Sequence, residues 1–121
     1  MRFDKLTTKF QQAIADAQTL ANVNDNGSIE SIHLLYALLE KTEGDEISLL
    51  SSAGCKTQNL KNALNAAIQN LPKIESKDGE IGISRELNGV LNLTEKLALK
   101  QGDDYISTEM FLLVLIEDKN L

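Results

Sequence analysis

The feature that most constrains this sequence is an internal duplication with an offset of 77 residues. Residues 84–117 align with residues 7–40 without a gap, which places Ile106 on Ile29 and Glu117 on Glu40. Repetition at a fixed spacing indicates one supersecondary unit used twice, and neither copy can bury its apolar face alone. We therefore expect two similar halves that pack against each other.

Each copy has the pattern of a helix, a loop and a second helix. Thr7 and its counterpart Ser84 are suited to cap the first helices. The second helices are apolar nearly all round, as in residues 110–116, which is typical of helices buried at the centre of a bundle. The first helix of copy one carries apolar residues every three or four positions, which places them on one face: Leu6, Phe10, Ala13, Ile14, Ala17, Leu20 and Ala21.

Two further helices are predicted between the copies. Asp45 can cap a short helix, which Gly54 would end in a left-handed turn. Thr57 can cap a longer helix that stops before Pro72. The predicted fold is therefore an all-α, pseudo-twofold duplicated helical repeat, arranged as an orthogonal-type bundle.

The whole chain, residues 1–121, is expected to form one domain. Repeat 1 covers about residues 4–72, a linker covers 73–83, and repeat 2 covers 84–121. Repeat logic calls for counterparts of the short and long helices after repeat 2, so we expect repeat 2 to be truncated and the chain to be a fragment of a longer protein.

Composition excludes several classes of partner. Eighteen acidic residues against twelve Lys and Arg give a formal net charge of −6, which disfavours nucleic acid and anionic membranes. The longest apolar stretch is too short to span a bilayer. A single cysteine, Cys55, fits a reducing compartment, and we expect the protein to be cytoplasmic.

Catalytic and metal-binding motifs are not recognisable in the sequence. No phosphate-binding loop of the Gly-x-x-x-x-Gly-Lys-Ser/Thr type occurs. His33, the only histidine, is expected to be a hydrogen-bonded core residue, and Cys55 a packing residue at a helix junction. Residues 22–33 resemble a calcium loop superficially, but they begin with Asn22 and end with His33 where a bidentate Glu is needed. A small enzyme that uses Cys55 or His33 is the least favoured alternative.

Several ordered motifs resemble the amino terminus of ClpB disaggregases. They are MRFDKLT at residues 1–7, FQQAIADAQ at 10–18, IESIHLL at 29–35, VLNL at 90–93 and GDDYISTE at 102–109. The resemblance covers the whole chain. It implies a double Clp-N motif that binds unfolded or aggregated polypeptides.

The resemblance also implies properties of the parent protein. Such a parent is a stress-response chaperone and a homohexamer, with a coiled coil and two ATPase modules that use ATP and magnesium. It works with a co-chaperone system through its other domains. The segment itself is expected to need no cofactor or metal and to be a monomer in isolation.

Six substrate-binding residues carry over from the family. The polar ones are Thr7, Asp103 and Glu109, and the apolar groove consists of Leu91, Leu93 and Met110. Relatives commonly have Leu at position 110, and Met should preserve adaptable apolar contact. For the acids, together with Asp104, solvated capping of the last helix is the alternative.

The second functional hypothesis is adaptor docking, as in the related ClpA and ClpC unfoldases that feed proteases. Those relatives have two more similar copies, each with a Thr-Glu-His core. This chain instead has residues 31–35 as SIHLL and residues 108–112 as TEMFL. That difference favours the disaggregase.

Overall fold

A computed structural model describes residues 3–40, 45–52, 54, 56–74 and 81–117. Within these ranges one 3-10 turn and six α-helices form: the turn Phe3–Lys5, then α1 (Thr8–Val23), α2 (Ser31–Glu40), α3 (Asp45–Ser52), α4 (Thr57–Gln69), α5 (Arg85–Gln101) and α6 (Thr108–Glu117). The all-helical prediction is confirmed. None of the described helices is long and apolar enough to cross a membrane.

Three of the five predicted helix ends agree with the structure, at Thr7, Ser84 and Gly54, whereas Asp45, like Thr57, is the first residue of its helix. Thr7 Oγ1 accepts a hydrogen bond from the N–H of Phe10 at 3.2 Å, and Ser84 Oγ accepts one from the N–H of Leu87 at 3.0 Å. Gly54 has the predicted left-handed conformation, with φ of 87°.

The predicted cap at Thr57 is wrong. The structure places Thr57 inside α4 as its first residue and Lys56 at the cap position, where no side chain bonds to the helix. A capping sequence signal does not fix the residue at which the backbone leaves the extended region.

The two halves are joined by a reciprocal pair of short parallel bridges. Leu6 bridges to Ile106, and Ile83 bridges to Ile29. Ile83 and Ile106 are the counterparts of Leu6 and Ile29. In each half, therefore, the segment before the first helix pairs with the connection between the two helices of the other half.

The hydrogen bonds of the two bridges correspond one to one. The N–H of Ile106 donates to Lys5 O at 2.8 Å, and the N–H of Ile29 donates to Gly82 O at 2.9 Å. Gly82 is the counterpart of Lys5. The predicted duplication is thus present in the backbone pairing, and Ile29 and Ile106 occupy equivalent environments.

The core is centred on α2, which packs against α1, α3, α4 and α5, whereas α6 packs against α5 and α3. Phe10 of α1 and Phe111 of α6 are fully buried and meet edge to face with 5.8 Å between ring centroids. This aromatic contact links the first helix of one half to the last helix of the other.

Helix α6 is less buried than its apolar sequence predicts. Phe111 and Leu112 are buried, but Ile116 is 49% exposed and residues 113–115 are only half-buried. The prediction that both second helices lie at the centre of the bundle is therefore correct for α2 and wrong for the C-terminal half of α6. An apolar sequence does not determine which faces other elements cover.

Candidate functional site

An open cleft of about 500 Å³ lies between the 3-10 turn that precedes α1 and the end of α5. We call it the acidic cleft, because three of its lining side chains are carboxylates and one is a lysine. Its lining residues are Lys5, Glu95, Ala98, Leu99, Asp103, Asp104 and Ile106. The floor is apolar and the acids lie on the α5 side and in the loop after it.

The cleft is built by the bridge between the halves and by the turn after α5. The pairing of Lys5 with Ile106 holds the opening segment beside this turn. Gly102 ends α5 in the left-handed region with φ of 74°, a conformation that glycine adopts at little cost. The chain therefore reverses immediately, and Asp103 and Asp104 project as exposed residues at the cleft.

Two of the three predicted polar residues lie in or beside the cleft. Thr7 is next to the cleft, since its N–H donates to Ile106 O at 3.1 Å. Asp103 lines the cleft. Glu109 is half-buried in the first turn of α6, where Ser107 Oγ accepts from the N–H of Met110 at 3.3 Å. The macrodipole favours a carboxylate at such a position.

The predicted apolar groove is not open in this structure. Leu91 is 0% exposed and Met110 is 8% exposed, whereas Leu93 is 46% exposed. Leu93 also lies two residues before Glu95 on α5, which is about 200° around the helix axis. The expectation that Leu91, Leu93 and Met110 line one accessible surface is therefore wrong, and only Leu93 offers surface to a ligand.

The internal repeat explains why Met110 is buried. Its counterpart in the first half is His33, which is also fully buried. The counterpart of Asp103 is Asn26, whose Oδ1 lies 2.8 Å from His33 Nε2. Met110 has no N–H that could bond to Asp103 as His33 bonds to Asn26. The carboxylate of Asp103 therefore remains at the surface, whereas Asn26 is buried.

His33 is the hydrogen-bonded core residue that the sequence predicts. Its Nδ1 accepts from the N–H of Glu30 at 2.9 Å, so the ring proton is on Nε2 and is donated to Asn26 Oδ1. Burial lowers the pKa of His33 below 6.5, which keeps the ring neutral. Cys55 lies outside the described residues.

Sequence reasoning missed the apolar surface around the cleft. Leu99 is 72% exposed and Tyr105 is 61% exposed. Leu99 falls off the periodic apolar face of α5 and Tyr105 lies in the loop after it, and large apolar residues in such positions were the available signal. Lys5 and Glu95 gave no signal, because only the tertiary structure brings them to the cleft.

A second, more apolar groove of about 470 Å³ lies between α2 and α4. It is lined mainly by leucine and isoleucine, with Glu30 and Glu86 among its lining residues. The hydroxyl oxygen of Ser31 is buried beside it without a hydrogen-bond partner. The apolar lining residues are Ile32, Leu35, Leu60, Leu64, Leu71 and Leu115.

Comparison with known families identifies this arrangement. The model of the Clp repeat (R) N-terminal domain matches residues 5–121. The chain belongs to this family. The chaperone protein ClpB of Pseudomonas putida is 40% identical to this Clp repeat domain over 120 residues, which are 99% of the chain and 14% of the relative. The domain thus spans 14% of the length of that curated relative.

Solved structures of Clp N-domains share the fold. The N-terminal domain of Hsp104 from Candida albicans has a TM-score of 0.83 at 23% identity, with 96% of this chain and 76% of that chain covered. A complex of the ClpV N-domain with a VipB peptide has a TM-score of 0.80 at 17% identity, with 97% and 71% covered. These similarities confirm the predicted Clp repeat architecture.

Among the described residues of this Clp repeat domain, no group of three or more His, Cys, Asp or Glu side chains could hold a metal ion. The carboxylates of the cleft can pair with cationic side chains. Lys5 already contributes one positive charge to the lining.

Proposed function

We propose that this domain is the N-terminal substrate-binding module of an ATP-dependent ClpB-type disaggregase and that it engages unfolded or aggregated polypeptides at the acidic cleft. The observation that carries the proposal is the combination of exposed apolar and acidic side chains in one open cleft beside Thr7. Leu99 supplies exposed apolar surface, and Asp103 and Asp104 supply charge.

Such a surface suits ligands without a fixed shape. Open apolar contact tolerates many side chains, and carboxylates pair with the lysines and arginines of an unfolded chain. Ordering a disordered ligand costs conformational entropy, so affinities no tighter than micromolar are expected. The ClpV relative of the same fold has been solved with a peptide bound, which supports a polypeptide as the ligand class.

The six residues carried over from the family divide into three groups in this proposal. Thr7, Asp103 and Glu109 contact the ligand, whereas Leu93 is exposed on the opposite side of α5 and lies outside the acidic cleft. Leu91 and Met110 act from beneath, since both are buried, and hold α5 against α6. A charge at Leu91 would therefore disrupt the core and would not test binding.

The test uses reduced, carbamidomethylated ribonuclease A, an unfolded and basic chain, as the ligand. Leu99→Glu and Asp103→Asn should each weaken its binding to the 121-residue chain about threefold to tenfold, because each removes a contact worth about 1 kcal/mol. Circular dichroism should show unchanged helicity. Glu117→Gln, at the far end of α6, is the matched charge control and should bind as the wild type does.

Amide chemical shifts locate the ligand in the same titration. Shifts at residues 95–106 support the proposal. Shifts at Leu60 and Leu64, with unchanged binding by both cleft variants, would assign the ligand to the apolar groove between α2 and α4 and would contradict the acidic cleft.

The properties of the parent protein are part of the same proposal. We infer two ATPase modules using ATP and magnesium, a homohexameric cytoplasmic assembly with a coiled coil, and cooperation with a co-chaperone system, because the domain is 40% identical to the corresponding part of a ClpB chaperone. The domain itself is proposed to bind and not to catalyse. ATP-dependent recovery of a heat-aggregated protein by the full-length parent, lost on deletion of the ATPase modules, tests this.

A further inference from the structure

The loop after α1, residues 24–27, is a left-handed turn that closes on its own helix. The N–H of Asp25 donates to Asn22 O at 3.1 Å, and the N–H of Asn26 donates to Ala21 O at 2.9 Å. Asp25 has φ of 57°, in the region that non-glycine residues rarely adopt. We call this the first loop.

The loop after α5, residues 101–104, repeats that turn bond for bond. The N–H of Gly102 donates to Leu99 O at 3.1 Å, and the N–H of Asp103 donates to Ala98 O at 3.0 Å. Gly102 has φ of 74°. Each of these residues is the counterpart, at 77 residues, of one in the first loop, so this second loop presents the same backbone groups outward.

The first loop is paired with a short extended stretch of the same chain. We call it the docked segment (Pro72–Ile74). Its central residue pairs with Asn26 in an antiparallel bridge. The N–H of Ile74 donates to Asp25 O at 2.8 Å, and Asn26 Nδ2 donates to Pro72 O at 3.3 Å.

A lysine of the docked segment completes the contact. Lys73 Nζ donates to Asn24 O at 3.0 Å, one of the carbonyl groups at the end of α1. A cation is favoured at a helix C-terminus because it complements the macrodipole and the unpaired carbonyl groups there. The first loop therefore recognises an extended backbone together with a basic side chain.

The second loop presents the same edge uncovered. Gly102, Asp103 and Asp104 are all exposed, and open space surrounds the position of a β carbon on Gly102. No backbone N–H of the described residues donates to Gly102 O, the counterpart of the acceptor that Ile74 uses. Asp103 and Asp104 also line the acidic cleft.

We infer that the second loop binds an extended, lysine- or arginine-containing stretch of a client polypeptide by antiparallel pairing with residues 102–104, in the way that the first loop binds Pro72–Ile74. The inference rests on the proposed function and specifies its ligand and binding mode. In this mode Gly102 O accepts a backbone N–H of the client, and a basic side chain reaches the carbonyl groups at the end of α5.

Differences between the loops define the side chains that fit. A β carbon on Gly27 would meet the flexible end of the Ile74 side chain, which would have to turn aside, and the counterpart of Gly27 is Asp104, which does carry a side chain. An isoleucine would therefore be crowded at the second loop, whereas a lysine or arginine could pair with the carboxylate. Asp103 in place of Asn26 adds a second negative charge, so the second loop selects a more basic segment.

Backbone pairing explains how one site can serve many sequences. Every residue of a client except proline supplies an N–H, so pairing with a loop edge gives affinity without demanding a particular side chain. The two carboxylates then bias the choice toward basic segments. Folded proteins, whose backbone groups are already paired, offer few such edges.

The probe is a capped hexapeptide with the sequence of residues 70–75 of this chain, changed at two positions, Ile74→Lys and Glu75→Ala. Two N-methylated forms test the pairing. One is methylated at the residue in the Ile74 position, whose N–H is proposed to bond to Gly102 O. The matched control is methylated at Lys73, whose N–H makes no backbone bond among the described residues.

Binding to the 121-residue chain is followed by amide chemical shifts. The probe should shift the signals of residues 101–104. Methylation in the Ile74 position should weaken binding about fivefold to tenfold, the effect of losing one hydrogen bond, and the control methylation should change it by less than about twofold. Asp104→Gly should restore binding of the peptide that retains Ile74, because that variant recreates the glycine of the first loop.

Two results would overturn the inference. Equal affinity of both methylated peptides, together with loss of binding in Asp103→Asn, would leave the acidic cleft as the polypeptide site but remove backbone pairing. The same conclusion would follow if the probe did not bind while Asp103→Asn still weakened the binding of unfolded ribonuclease A. Failure of both ligands to bind would instead overturn the proposed function itself.

Discussion

His33 and Asn26 form a buried side-chain hydrogen bond, with 2.8 Å between Nε2 and Oδ1. Both residues are at most 2% exposed. Their counterparts in the second half, Met110 and Asp103, cannot form it. One half therefore closes its loop with a polar pair in the core, and the other half exposes a carboxylate at the same position.

Because the His33 ring is buried in its neutral form, we expect the domain to lose stability in mild acid. Burial lowers the pKa of His33 from 6.5 in the folded state, so below that pH the unfolded chain binds a proton that the folded chain resists. The free energy of unfolding should therefore fall as the pH drops from 7.5 to 5.5, by up to about 1.4 kcal/mol per pH unit for one proton. Urea denaturation at the two pH values measures it.

His33→Met is the control for this pH effect, because it introduces the residue that the second half uses. His33 is the only histidine, so the variant should have a smaller dependence of stability on pH over this range, even if it is less stable overall. An unchanged dependence would show that His33 is not its source.

The two helix caps allow stability to be separated from binding. Thr7 and Ser84 each accept one helix N–H with a side-chain hydroxyl, so Thr7→Ala and Ser84→Ala should each lower the free energy of unfolding by about 1 kcal/mol. Only Thr7→Ala should also weaken binding of unfolded ribonuclease A. Equal losses of affinity in both variants would remove Thr7 from the proposed site.

Substitution by alanine should change the free energy of unfolding in opposite directions at two exposed glycines, Gly89 inside α5 and Gly102 at its end. Gly102 has φ of 74°, so Gly102→Ala should destabilise the domain by about 1 kcal/mol. Gly89 lies inside α5 with open space around it, so Gly89→Ala should stabilise by about 0.5 to 1 kcal/mol. Thermal unfolding compares the two, and a change of the same sign in both would contradict the assigned turn.

The contact between Phe10 and Phe111 should be a main source of stability. Both rings are fully buried, so Phe111→Ala should cost about 3 to 5 kcal/mol through lost transfer energy and a residual cavity. Tyr105→Ala, at a residue that is 61% exposed, is the aromatic control and should change stability by less than about 0.5 kcal/mol. Chemical denaturation measures both variants.

Much of the fold could be predicted from the sequence, because its main signals are local or repetitive. Helical spacing, the capping residues Thr7 and Ser84, the turn at Gly54 and the 77-residue duplication all depend on residues whose pattern is visible in one dimension. The first residue of α4 could not be fixed in this way, because the backbone geometry decides whether Lys56 or Thr57 takes the cap position, and the sequence does not show it.

The candidate site was harder to predict than the fold. The family resemblance indicated Asp103 and Thr7, which lie in or beside the acidic cleft. It also indicated Leu91 and Met110 as surface residues, and both are buried. Apolarity alone does not distinguish a residue that lines a groove from one beneath it, and the part played by Leu99 depends on a loop reversal that only the structure reveals.

The pairing of Lys5 with Ile106 has a consequence for synthesis on the ribosome. About 100 residues separate the two partners, and translation at about 5 to 20 residues per second takes roughly 5 to 20 s to cover that distance. Until this part of the chain emerges, Lys5 lacks its backbone partner Ile106 and Phe10 lacks its contact with Phe111. A domain proposed to hold unfolded proteins must therefore itself remain incompletely folded for seconds whenever it is made.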